Sequence, residues 1–107
     1  MPGALCSVLL LGDDGKHVRH GAAPRLPKAF VDAVEGMAIG PAAGSCGTAM
    51  YFGKPVVVED IATDPLWADY RHIALPHRLC ACWSTPIVST DGKVLGAFAN
   101  YYREPRS

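Results

Sequence analysis

The chain of 107 residues predicts an α+β fold, an antiparallel sheet with helices packed against it. Two observations carry the prediction. Apolar runs rich in Val, Leu and Ile fall in pairs joined by tight turns, and stretches of helical spacing are inserted between the pairs. The strands do not follow the regular β-α-β alternation of a parallel sheet. Half of the residues are hydrophobic and 19% are charged, the composition of a chain that builds a packed core. The length suits one domain over 1–107, with a core at about 5–102 and a polar, linker-like tail at 103–107.

Taken in order, Ala4 to Leu11 reads as a buried strand that runs into the turn Gly12-Asp13-Asp14-Gly15. Lys16 to Gly21 reads as the returning strand, and the two prolines of 22–27 mark a loop. Pro27 is placed to open a helix, whose apolar stripe is Phe30, Val31, Val34 and Met37. Gly36 weakens that helix and Gly40-Pro41 stops it. Residues 42–47 are small, and 48–52 suits a short helix or a strand equally. Gly53-Lys54-Pro55 is a turn, and three consecutive valines make Val56 to Ile61 a strand. Ala62 to Leu79 predicts two short helical pieces, the first capped by Thr63 or Asp64 and opened by Pro65, with the second ended by Pro76. Ala81 to Val88 and Lys93 to Tyr102 form a hairpin about a turn at 89–92.

Lysine plus arginine equals aspartate plus glutamate, so the formal net charge is zero. The basic residues are scattered, which argues against nucleic acid as the main partner, because phosphate binding needs clustered positive charge. The longest apolar run, 4–11, is too short to cross a bilayer as a helix, so no membrane contact is expected of this segment. Four cysteines, at 6, 46, 80 and 82, occur without a secretory signal, which favours reduced thiols and a cytoplasmic setting.

Among residues that carry chemistry, Cys80 and Cys82 alternate with Ala81 at a strand start and share a face. With His72 and His77 they spell His-x4-His-x2-Cys-x-Cys. Zinc takes such ligands, but structural sites space their cysteines two to four apart on a loop, so His77, Cys80 and Cys82 are a weak metal signal. His17 and His20 read as solvated. Asp13-Asp14 read as turn residues, and Asp60 as turn support. No phosphate-cradling Gly-x4-Gly-Lys block is present, nor a nucleophile elbow. Cys46 reads first as a small buried filler and second as the floor of a pocket.

The ordered blocks Gly44-Ser45-Cys46-Gly47-Thr48-Ala49, Val56-Val57-Val58-Glu59-Asp60-Ile61, Asp64-Pro65-Leu66-Trp67, Cys82-Trp83-Ser84-Thr85-Pro86-Ile87 and Asp91-Gly92-Lys93-Val94-Leu95-Gly96 together resemble the GAF domain family, the sensory modules of bacterial histidine kinases and cyclic-dinucleotide enzymes. The match runs from about Leu5 to Tyr102. The resemblance implies a PAS-like antiparallel sheet of about six strands flanked by helices. Members usually carry a further helix at each end, so this chain looks trimmed, with terminal helices truncated. The resemblance also implies a regulatory, non-enzymatic module. Such a module binds an unidentified small molecule or partner domain and controls a linked kinase, cyclase or phosphodiesterase, as part of a two-component or related system and as a possible homodimer.

The implied pocket lies between the sheet and the inserted segments, with Cys46, Thr48, Asp60, Trp67, Tyr70, His72, Cys82, Trp83 and Thr85 as candidate lining. The Gly/Pro-punctuated covers 38–54 and 62–80 are its mobile parts. No cofactor is required, although some relatives hold haem through an axial histidine, for which His72 or His77 would serve. Two alternatives accompany this reading. One is a dimerisation module with no ligand. The other is the branch of the fold that reduces free methionine sulfoxide with thiols. Cys46 matches that branch's Gly-x-Cys-Gly-Thr-Ala block, but its His-Ile-Ala-Cys-Asp segment, which carries the attacking thiol, is not reproduced around Cys80 and Cys82.

Overall fold

The computed structural model describes residues 4–23 and 25–105, and the backbone alone of Ala4 and His20. Pro24 of the 22–27 loop and residues 106–107 of the expected tail lie outside the described residues. Strands β1 (Ala4–Leu11), β2 (Val18–Ala22), β3 (Val56–Val58), β4 (Ala81–Val88) and β5 (Val94–Tyr102) form one sheet in the order β2-β1-β5-β4-β3. Every neighbouring pair is antiparallel. Beyond β2 the segment 36–39 adds a short sixth rung. His17 bridges Ala38, Val18 N–H donates to the Met37 carbonyl at 2.7 Å, and Gly36 N–H donates to the Val18 carbonyl at 2.8 Å. Helices α1 (Lys28–Val34) and α2 (Gly44–Phe52), the 3₁₀ turns Pro65–Trp67 and Leu75–His77, and the single turn α3 (Arg71–Ala74) make up the helical elements.

The first hairpin turns where Asp14 accepts from the backbone N–H groups of Lys16 and His17 and pairs with the His17 ring. The Lys16 N–H and the His17 ring together hold the Asp14 carboxyl down to about 2. Helix α1 begins one residue after Pro27 and buries Phe30 and Val34, as the stripe predicts. It ends at Val34 rather than at Gly40. Gly36 takes φ +81°, a conformation that only glycine enters freely, and turns the chain back along β2. The strand expected over Val56 to Ile61 stops at Val58. Asp60 accepts the Ala62 N–H on its side chain and the Thr63 and Asp64 N–H groups on its carbonyl, which closes a turn. Asp64 caps the next turn through the Leu66 N–H at 2.9 Å, with Pro65 at its opening position.

The largest correction concerns residues 38–54. Gly44 to Phe52 is a helix, and all of Gly44 to Met50 is buried. Sequence patterning missed it because α2 has almost no polar face inside the fold, so no 3.6-residue alternation survives. Its residues from Gly44 to Ala49 are small, and the inner sheet face carries small residues too. Ser7 of β1, Ala97 and Ala99 of β5, and Cys82 and Ser84 of β4 are all buried on the inner face. Small against small lets a helix backbone lie close over strand backbones, where a leucine on either side would hold them apart.

The opposite sheet face carries no helix among the described residues. Register puts Cys6, Asn100 and Trp83 in one row there, and Val8, Phe98 and Thr85 in the next. Trp83 stacks edge-on against Tyr102 at 5.3 Å between ring centres and covers Ala81.

Enlarging the inner face should therefore be costly where the outer face tolerates change. Ala99→Leu should lower unfolding stability by about 1–3 kcal/mol through overpacking. Thr85→Val, on the outer face of the same sheet, should stay within about 0.5 kcal/mol. Urea unfolding followed by circular dichroism measures both, and equal effects would contradict the packing described.

Candidate functional site

The site is a hollow between the inner sheet face and its covering elements. Leu9 of β1, Val18 of β2 and Tyr101 of β5 form its floor, Val34 and Met37 one wall, and Ala43 to Gly47 at the start of α2 another. Trp67 and Ile73 close it. Gly44 takes φ +69°, and the Trp67 ring lies 3.4 Å from where its Cβ would stand. A side chain at residue 44 would thus strain the backbone and press on the indole. The enclosed space is about 20 Å³, room for roughly one water molecule. Its lining is chiefly apolar.

Beside the hollow, the α2–sheet seam holds an island of buried polar groups. The Trp67 indole N–H donates to Ser45 Oγ at 3.0 Å, and Ser45 Oγ donates to the Cys82 carbonyl at 3.1 Å. Cys46 Sγ lies 3.1 Å from Ser84 Oγ, and Cys82 Sγ lies 3.7 Å from the same hydroxyl. Cys46, Cys82 and Tyr101 lie close enough to act on one another's acidity. The Cys82 thiol, then burial, pushes the Cys46 thiol well up. Burial also acts to raise Cys82, but hydrogen bonds from Cys46, Ser45, Ser84 and Tyr101 outweigh it and leave that thiol below its ordinary value. Burial and the two neighbouring thiols raise Tyr101.

Of the residues the sequence nominates, Cys46 and Trp67 line the hollow, and Cys82 sits directly behind Cys46. The others are elsewhere. Thr48 is spent inside α2, where its hydroxyl donates to the Gly44 carbonyl and accepts the Ala43 N–H. Asp60 holds the turn after β3. Tyr70 packs on the rim of the core, and His72 is exposed. Trp83 and Thr85 point from the other face of the sheet, because residues alternate along β4 and Cys82 and Ser84 take the inner side.

The weak metal set does not assemble. His77 meets the Phe30 ring edge-on at 6.3 Å, Cys80 Sγ points to the Arg78 carbonyl, and Cys82 is sealed in the core. Among the described residues no group of three or more His, Cys, Asp or Glu side chains is arranged around a metal position. The hollow also does not fit a haem. Its lining has no imidazole, and its volume is far below the roughly 300–1,000 Å³ of pockets that take large ligands. Sequence reasoning passed over Ser45, Ile73 and Tyr101. The strand register of β5 is the signal for Tyr101, since Ala97, Ala99 and Tyr101 alternate onto the inner face.

A family model described as GAF domain matches residues 1–107. The chain belongs to the GAF domain family. It is 43% identical over 105 residues to a methyl sulfide methyltransferase-associated sensor of Methanosarcina acetivorans, a match that covers 98% of this chain and 10% of that protein. The chain therefore spans about a tenth of that curated relative. Among solved structures, one titled as the structure of the GAF domain superposes with a TM-score of 0.74 at 20% identity, covering 95% of this chain and 52% of the other. A free methionine-R-sulfoxide reductase of Neisseria meningitidis, in complex with its substrate, superposes with a TM-score of 0.67 at 22% identity, covering 95% and 53%. These two likenesses establish the fold. Among the described residues of this GAF domain, no helix is long and apolar enough to cross a membrane.

The GAF core thus hangs on the Ser45 hydroxyl, which serves an indole and a strand carbonyl at once. Ser45→Ala should leave the Trp67 N–H unpaired and cost about 1–3 kcal/mol. Chemical denaturation read by tryptophan fluorescence measures it, and a change under about 0.5 kcal/mol would mean that the bond does not hold the indole in place.

Proposed function

We propose that this GAF domain is a regulatory, sensory module that takes a small, largely apolar molecule into the hollow between Trp67, the start of α2 and the sheet, and so controls an output domain of a longer protein. The observation that carries the reading is the hollow itself, a chiefly apolar space lined by parts of seven helices, turns and strands and by the 36–39 rung. At about 20 Å³ it admits little without movement. A larger ligand has to displace the half-buried Met37 and Ile73, which lie on the edge rung and on the short turn α3. A molecule that binds the opened arrangement better than the closed one shifts the population between them, which is what a receptor requires. The 43% identity to a protein named as a sensor supports the same role, and that protein's far greater length is consistent with attached output domains.

Native mass spectrometry of the freshly purified chain tests this directly. The expected result is a non-covalent small-molecule adduct that is lost on denaturation, or one that appears when a panel of small apolar compounds is added. A bare polypeptide mass throughout, with no thermal shift from any compound, would contradict the reading. The same spectra give the subunit count, and a ligand-free dimer would favour the dimerisation module.

The likeness to a free methionine-R-sulfoxide reductase raises a second reading, catalysis by thiols. This chain does carry His72-Ile73-Ala74, the opening of that branch's His-Ile-Ala-Cys-Asp segment, but Leu75 and Pro76 follow where the cysteine and aspartate belong. Without a thiol there the attacking nucleophile is missing. The chain should show no turnover of free methionine sulfoxide in a thiol-regenerating assay coupled to NADPH oxidation. Turnover that is lost in Cys46→Ser would establish the enzyme.

A further inference from the structure

Two thiols on different elements meet in the core, and nothing in the ligand-binding reading uses them as a pair. Cys46 belongs to the first turn of α2 and Cys82 to β4, 36 residues later. Ser84 Oγ touches both sulfurs, at 3.1 and 3.7 Å, which places the two thiols side by side around one hydroxyl. None of the four cysteines is in a disulfide, and Cys6 and Cys80 lie more open to solvent. Cys46 forms part of the lining of the hollow, so a reagent of about the size of water that enters the hollow meets its sulfur.

We propose that Cys46 and Cys82 form a redox pair that a hydroperoxide oxidises to an internal disulfide tying α2 to β4. In the first step the Cys46 sulfur attacks one oxygen of hydrogen peroxide. The O–O bond breaks, the sulfur becomes a sulfenic acid, and one water leaves with the thiol proton. In the second step the Cys82 sulfur attacks the sulfenic sulfur, the S–O bond breaks, and a second water leaves with the Cys82 proton. Two electrons pass from the two thiols to the peroxide. A dithiol reductant reverses the change by thiol–disulfide exchange.

The environment suits the second step. The hydrogen bonds that lower Cys82 favour loss of its proton as it attacks the neighbouring sulfur. The consequence is structural. A covalent bond holds the sulfurs at about 2.05 Å, well inside a hydrogen-bonded contact. Closing that gap draws the first turn of α2 toward the sheet. Residues 43–47 of that turn are a wall of the hollow, so oxidation reshapes the wall whatever the hollow binds. The proposal stands on the thiol geometry alone and survives failure of the ligand-binding reading.

The test uses the chain with Cys6→Ser and Cys80→Ser, which leaves only the core pair. The folded protein is exposed to hydrogen peroxide, denatured, alkylated and weighed intact. The expected product is lighter by two hydrogens, resists alkylation at both remaining cysteines, and regains both thiols after dithiothreitol. Adding Cys46→Ser or Cys82→Ser should abolish this reducible product. Full alkylation of both thiols after peroxide, or a loss that dithiothreitol does not reverse, overturns the proposal when circular dichroism shows the protein folded. Should the serine substitutions unfold the chain, peptide mapping of the oxidised unmodified chain decides. A cross-linked peptide containing Cys46 and Cys82 supports the proposal, and its absence overturns it.

Discussion

The close seating of α2 on β4 and β5 is the constraint from which the rest of the structure follows. It depends on small residues on both sides of the seam, from Gly44 to Ala49 on the helix and Ala97, Ala99, Cys82 and Ser84 on the sheet. Packing at that distance brings buried polar atoms together. Each therefore needs a partner in the protein, since an unpaired buried polar group costs about 1–3 kcal/mol. The partners are arranged in series. The Trp67 indole rests on Ser45, Ser45 rests on the Cys82 carbonyl, and Ser84 and Tyr101 serve the two thiols. The seam fixes the helix, and the helix fixes one wall of the hollow.

That arrangement separates a rigid half from a yielding half. The sheet floor and α2 are buried and cross-bonded. The facing walls are slighter, and include the 36–39 rung at the sheet edge and the four-residue turn α3. Segments with few buried apolar contacts open at lower free energy than the core. On the proposed function, ligand entry moves the slight walls while the seam holds register.

Much of this was legible in the residues. The hairpin about 89–92 and the first strand were set by alternation and turn chemistry, and β1 and β4 begin and end where the sequence places them. The capping of the turn at Pro65 by Asp64 was equally local. What was hidden depended on tertiary neighbours. Helix α2 shows no amphipathic stripe because nearly all of it is buried, so its small first half carries no helical signal and 48–52 suits a helix or a strand equally. The length of α1 was set by Gly36, whose conformation serves pairing with Val18, a partner distant in sequence. The candidate site was legible in part. The Gly44–Ala49 block marked Cys46, and the Asp64-Pro65-Leu66-Trp67 block marked Trp67. Thr85 and Trp83 were misplaced because which strand face turns inward is a question of register, and a shift of one residue exchanges the faces. Tyr101, which lies in the hollow beside Cys46, carries no motif of its own.

Native-state amide hydrogen exchange tests the seam most directly. If α2 is seated as described, the amides of Met50 and Ala49, inside the helix and against the sheet, should exchange only through global unfolding, with protection equal to that of the central strand β5. Exchange of those amides at the rate of the exposed turn 89–92 would mean that residues 44–52 are a mobile loop, and the account built on a fixed helical wall would fail.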